Sequence, residues 1–202
     1  MTRFMIFAAA AVLIFSAAGA GFPGEPEDPF KTDVEKFTRW RMEYARSPGF
    51  NPVWQAEEER QKILEAFKAQ DHASVLSLSR AWLAKCPVDA DMHEIRSIAC
   101  VLQDDYYGFF YHRQILYGLL ASIAASGQGL SLEKPMQVIS VHEEYDLLRH
   151  LRAEVVGQSL VEGPAGPVDK MECKLGDRPV TYYFDVSIPL TWIRKELGGK
   201  DQ

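Results

Sequence analysis

The strongest constraint on this chain is a change of texture near Pro135. Before it, apolar residues recur at helical spacing between short polar breaks. After it come Gly/Pro turns and V-T-Y-Y-F-D-V-S-I at 180–188, a β-branched and aromatic run that reads as a strand. Helices first and strands afterwards make an α+β fold. The expected architecture is a set of N-terminal helical hairpins over residues 31–130. An α+β region over 131–202 packs on it, with a small, mostly antiparallel sheet and one or two helices.

The helical half is punctuated regularly. A helix through Val34–Ala45 ends at Ser47-Pro48-Gly49. Asn51-Pro52 opens the next, Val53–Ala69. Polar breaks at Ala69–His72 and Leu102–Asp105 lie 33 residues apart, the period of a tetratricopeptide-like array of helix pairs, although that consensus is poorly kept. The aromatic run Tyr106-Tyr107-Gly108-Phe109-Phe110-Tyr111 falls on the last long helix, where burial in the core is the ordinary fate of such side chains. That helix ends at Ser126-Gly127, with Gly127 suited to a left-handed C′ position. Beyond it, Met136–Ile139 is a short apolar stretch. Val155–Val161 and Val168–Leu175 flank a wide hairpin tip at Gly163–Pro167, and Thr191–Leu197 is a candidate closing helix.

The N-terminus carries an address. Arg3, the apolar run Phe4–Phe15 and the small residues Ala18-Gly19-Ala20 form the n-region, h-region and A-x-A site of a secretory signal peptide. Cleavage is expected after Ala20, giving a periplasmic or extracellular protein without stable membrane insertion. Residues 21–30, rich in Pro, Gly and acid, read as a disordered leader. The formal charge of −6 and the lack of a Lys/Arg stripe argue against a nucleic-acid partner. An exported compartment permits disulfides, but Cys86, Cys100 and Cys173 are odd in number. Either Cys86 pairs with Cys100, or all three are buried thiols.

The densest chemistry is V-I-S-V-H-E-E-Y-D-L-L-R-H at 138–150. Ser140 and Glu143 have capping-box spacing, so a helix runs from Val141 to about Leu151. At 100° per residue, Val141, Tyr145, Leu148 and Leu151 form its buried face, and His142, Asp146 and His150 a stripe toward solvent. A solvent-facing stripe on one helix offers no complete metal shell, so no metal and no cofactor is expected. Glu144 projects into the apolar arc. There it is either a structural acid accepting N–H groups from the 126–130 loop or an acid with a shifted pKa. It is the best catalytic candidate, with His142 and Tyr145 beside it. The chain carries no G-x-S-x-G, H-E-x-x-H, P-loop, dinucleotide fingerprint or C-x-x-C.

Several segments together resemble a known family: S-G-Q-G at 126–129, V-I-S-V-H-E-E-Y-D-L-L at 138–148, G-Q-S-L-V-E-G at 157–163, Y-F-D-V at 183–186, and the stretch from Tyr44 to Trp54. The resemblance is to a bacterial family known only as domain of unknown function 4919. It covers most of the chain and implies an exported protein with no assigned activity. Where that family has S-G-D-G, this chain has Gln128, so an essential aspartate at that position would be missing.

Two functional readings follow. The first is a non-catalytic module binding an unknown protein or peptide, with Tyr106, Tyr107, Tyr111 and Gln158 as candidate binding residues. The second is an envelope hydrolase-like enzyme with Glu144 as general acid or base and a partner from the sheet such as Gln158, Asp185 or Tyr183.

Overall fold

In a computed structural model, residues 32–198 are described; the expected signal peptide and leader lie outside them. The order is α1 (Val34–Ala45), a 3-10 turn (Trp54–Ala56), α2 (Glu58–Lys68), α3 (His72–Lys85), α4 (Ala90–Leu102), α5 (Tyr106–Ala124), β1 (Met136–Gln137), α6 (Val141–His150), β2 (Glu154–Gly163), β3 (Gly166–Leu175), β4 (Arg178–Asp185) and α7 (Ser187–Gly198). The fold is α+β, as the change of texture predicts.

Aspartates begin four helices. Asp33, Asp71, Asp89 and Asp105 each accept a backbone N–H three residues on, capping α1, α3, α4 and α5. The two polar breaks share a turn geometry. Gln70 and Asp104 both take the left-handed conformation directly before their capping aspartates, 34 residues apart. Asp71 N returns to Ala66 O and Asp105 N to Cys100 O, closing both helices alike. This gives the hairpins α2–α3 and α4–α5 the same turn. It does not make them tetratricopeptide repeats.

Three local readings change. Asn51 does not start a helix: its Oδ1 accepts from Val53 N, a 3-10 turn follows, and α2 begins only at Glu58. Gly127 is not the left-handed residue. That role falls to Gly129, with φ 68°, whereas Gly127 is small because Pro135 O lies 2.0 Å from where a Cβ would stand. The hairpin tip is tight, with Gly163 paired to Gly166 across Pro164-Ala165.

The sheet has the order β1-β4-β3-β2. β2, β3 and β4 are antiparallel neighbours, and two-residue β1 runs parallel to β4 at one edge. A bulge at Val156 bends β2, the other edge. One apolar core spans helices and sheet, through Trp54, Ile63, Met92, Leu116, Ile123, Ile139, Leu148, Met171 and Phe184. α1 packs on α5 where Phe37 rests on Gly118; a Cβ at Gly118 would meet the ring at 2.2 Å. All three cysteines are free and buried, so Cys86 and Cys100 are not bridged. No helix among the described residues is long and apolar enough to cross a membrane.

Candidate functional site

Helix α6 carries the predicted cluster, and most of that cluster is buried. The stripe expected to face solvent instead packs against α4. Asp146 is fully buried, and the side chains of His142 and His150 are about four-fifths covered. Tyr145, expected inside, is 39% exposed, and Leu151 is also exposed. The helix is buried on its polar side because a neighbouring helix supplies matching charge, which periodicity cannot register.

That matching charge forms a network. Arg60 of α2 donates to Asp89 Oδ2 at 2.9 Å, to Asp91 Oδ2 at 2.5 Å and to His142 Nε2 at 2.7 Å. Asp89 also accepts the Trp82 indole N–H at 2.8 Å while capping α4. Arg149 pairs with Asp91 at 3.1 Å and Asp146 at 3.0 Å. Ligand atoms of Asp89, Asp91 and His142 lie within 4.8 Å of one another, a spacing a cation would accept. The guanidinium of Arg60 already bonds all three, so the cation there is part of the chain.

An arginine can only donate, so His142 Nε2 accepts and the ring is neutral in this arrangement. Burial disfavours its charge, but hydrogen bonding to Asp91 and the charge of Asp146 more than offset this and raise its pKa. A protonated His142 must turn Nε2–H from Arg60 toward Asp91 or Asp146, now 3.8 and 3.7 Å away. Asp146 is raised to about 7, first by burial, and its Oδ2 has no hydrogen-bond partner.

Glu143 has a structural role. Ser140 Oγ accepts Glu143 N–H, as in a capping box, but the Glu143 carboxylate reaches Ile139 N and forms a two-point pair with buried Arg41 of α1 at 2.6 and 2.8 Å. Arg41 also donates to Gln137 O at 3.0 Å. The pair ties α1 to the start of α6.

Glu144 is 0% exposed and neither oxygen has a hydrogen-bond donor. The 126–130 loop therefore does not satisfy it. Instead it confronts Asp169 of β3. Two carboxylates are both acceptors and cannot bond until one takes a proton. Burial first, then the charge of Asp169 and of Glu143, raises Glu144 to about 9. Protonated, its carboxyl becomes a donor that can face the Asp169 carboxylate without repulsion. Gln158 Nε2 donates to the same aspartate at 2.7 Å, and Tyr145 O–H donates to Gln158 Oε1 at 2.6 Å. A hydrogen-bonded line thus runs from exposed Tyr145 through Gln158 to Asp169, the carboxylate that raises enclosed Glu144.

Of the sequence candidates, the structure joins Glu144, Tyr145 and Gln158; His142 belongs to the α4 network instead. Asp185 is engaged elsewhere, its Oδ1 accepting the Ser187 N–H. Asp169 was missed. Its signal was present: Asp169, Met171 and Cys173 alternate along β3 and all point inward.

The aromatic run is not core. Tyr106, Tyr107, Phe110 and Tyr111 stand out from the first half of α5, Tyr107 at 83% and Phe110 at 66% exposure, and Leu102 and Tyr117 are exposed as well. Tyr107 and Tyr111 stack at 6.5 Å. The 19-residue helix extends a face that its neighbours do not cover.

The family described as domain of unknown function DUF4919 has a model that matches residues 33–195. The chain belongs to this family. The match takes in every element from α1 to β4 and most of α7, so the Glu144–Asp169 pair, the α4–α6 network and the aromatic face all lie within the DUF4919 domain. No curated protein and no solved structure matches the chain.

Proposed function

We propose that this DUF4919 protein is an exported, non-catalytic module that binds a protein or peptide through the aromatic face of α5. The observation that carries the reading is the exposure of Tyr106, Tyr107, Phe110 and Tyr111 together on one helix. Spacings of three and four residues make them neighbours on that surface. Contiguous exposed aromatic area is unusual on a monomer and characteristic of interaction sites. Export rests on the N-terminal signal pattern, and a protein meeting its partner outside the cytoplasm needs no cofactor for this role.

The hydrolase-like alternative has a specific observation behind it, the elevated proton affinity of Glu144. It is the weaker reading because the Glu144 carboxyl is enclosed and His142 is bonded to Arg60. A substrate would reach Tyr145 and Gln158, at the outer end of the line, and not the Glu144 carboxyl.

The test is site-specific photo-crosslinking in the native cells, with a benzophenone amino acid at Tyr107 and, as control, at exposed Lys62. One discrete adduct from position 107, absent from position 62 and lost in Phe110→Ser/Tyr111→Ser, supports the binding module. Equal labelling from both positions, or none from 107, overturns it.

A further inference from the structure

Beside the aromatic face, a groove of about 400 Å³ runs between α1 and α5. Its walls are Phe37 and Trp40 on one side and Tyr111 and Ile115 on the other. Tyr111 belongs to both surfaces, because it stacks on Tyr107. The groove and the aromatic face are therefore one continuous surface.

The charge along the α1 side of the groove differs from that of the whole chain. The protein is acidic, at −6. Yet Lys36 and Arg39 line this groove and are exposed, and among the described residues neither has an ion-pair partner. Lys36 rests over the Phe37 ring at 5.5 Å, an arrangement that leaves its ammonium open to solvent. Arg41, Arg60, Arg113 and Arg149 face carboxylates; exposed Arg80, Arg152 and Arg178 are, like Lys36 and Arg39, without one among the described residues, but they do not line the groove. Two uncommitted cations beside an indole and a phenol suit a segment carrying carboxylates next to an apolar side chain.

We infer that the α1–α5 groove receives an acidic peptide segment of the partner, its carboxylates pairing with Lys36 and Arg39 and its apolar side chain lying between Trp40 and Tyr111. This rests on the reading of α5 as a binding face and supplies the chemistry of what it binds. Glu43, at the far end of the groove, sets the polarity. Acidic residues of the segment belong at the Lys36 end, and a basic or neutral one at the Glu43 end. The aromatic face of α5 then covers the flanking part of the partner.

The test uses the full chain labelled with nitrogen-15 and follows the Trp40 indole N–H, one of four such signals. The probe is acetyl-Ala-Glu-Phe-Asp-Ala-amide. Controls are the same peptide with both acids changed to lysine, and with phenylalanine changed to alanine. The acidic peptide is expected to shift the Trp40 signal saturably, and both controls to bind at least about tenfold more weakly. The decisive variant is Lys36→Glu/Arg39→Glu, which must reverse the preference in favour of the lysine peptide. A gain of binding cannot come from misfolding. The proposal is overturned if the Trp40 signal does not move, if the acidic and lysine peptides bind alike, or if the charge-reversed variant keeps the original preference. It also falls if sedimentation shows that the groove is closed by a second copy of the chain. If the Tyr107 crosslink succeeds while these tests fail, the binding face stands and only its acidic specificity is lost.

Discussion

Glu144→Gln should make the protein more stable near neutral pH, although it alters a completely buried residue. In the fold Glu144 is held to about 9, whereas in the unfolded chain it ionises near its ordinary 4.5. Between those values the folded state binds one more proton than the unfolded state. Stability from this group is therefore full below 4.5 and is lost as pH rises toward 9. At pH 7 the lost stability amounts to about 3 kcal/mol, from 1.36 kcal/mol per pH unit over the interval above 4.5. Glutamine has the shape of the protonated acid and its amide is likewise a donor that can face the Asp169 carboxylate. It brings one additional buried N–H, which costs about 1 kcal/mol. The net expectation is a gain of about 2 kcal/mol at pH 7, or roughly 4–8 °C in Tm for a domain of this size. Urea unfolding of both proteins at pH 5, 7 and 8.5 measures it. The gap should be near zero at pH 5 and widen with pH. A gap independent of pH, or a variant less stable than wild type at pH 8.5, refutes the account of a proton held on Glu144 against Asp169.

Two further outcomes test the remaining buried polar groups. Arg96 Nε–H donates to His112 Nε2 at 2.8 Å; His112 Nδ1–H must then donate to His93 Nδ1 at 2.9 Å, and His93 Nε2–H to Pro87 O at 3.0 Å, so both rings are neutral. Burial lowers His93 to about 4, so stability present above pH 6.5 should fall as pH drops toward 4, by up to about 3 kcal/mol; NMR titration showing His93 protonating near 6.5 would contradict this. Arg41→Met should cost about 3–5 kcal/mol by stranding the Glu143 charge, and Arg41→Met/Glu143→Gln should recover much of it in chemical denaturation. A double variant as unstable as the single one would mean that Arg41 acts through packing alone.

The opposing pH responses of Glu144 and His93 place the stability optimum by balance. One group destabilises the fold as pH rises and the other as it falls. Both follow first from burial, in contrast to Arg41 and Glu143, whose charges meet directly.

The sequence by itself determined whatever depends on near neighbours along the chain. The aspartate caps, the polar breaks at 69–72 and 102–105, the start of α6 at Ser140, and the helices-then-strands order are set by bonds and clashes within a few residues. The burial of Glu144 was also legible, because a helix's angular period fixes where a side chain points. What covers each face was decided only by tertiary structure. The His142–Asp146–His150 side became interior because Arg60, Arg149 and the acids of α4 meet it, and nothing in α6 encodes their arrival. The aromatic run of α5 stayed outside because no element among the described residues packs over its exposed side, although the same residues on a covered helix would be core. Asp169 lies 25 residues from Glu144, and only the tertiary fold sets the one carboxyl where its charge acts on the other. Periodicity tells which residues share a face; whether that face meets water, charge or another carboxyl depends on contacts between segments far apart in the chain.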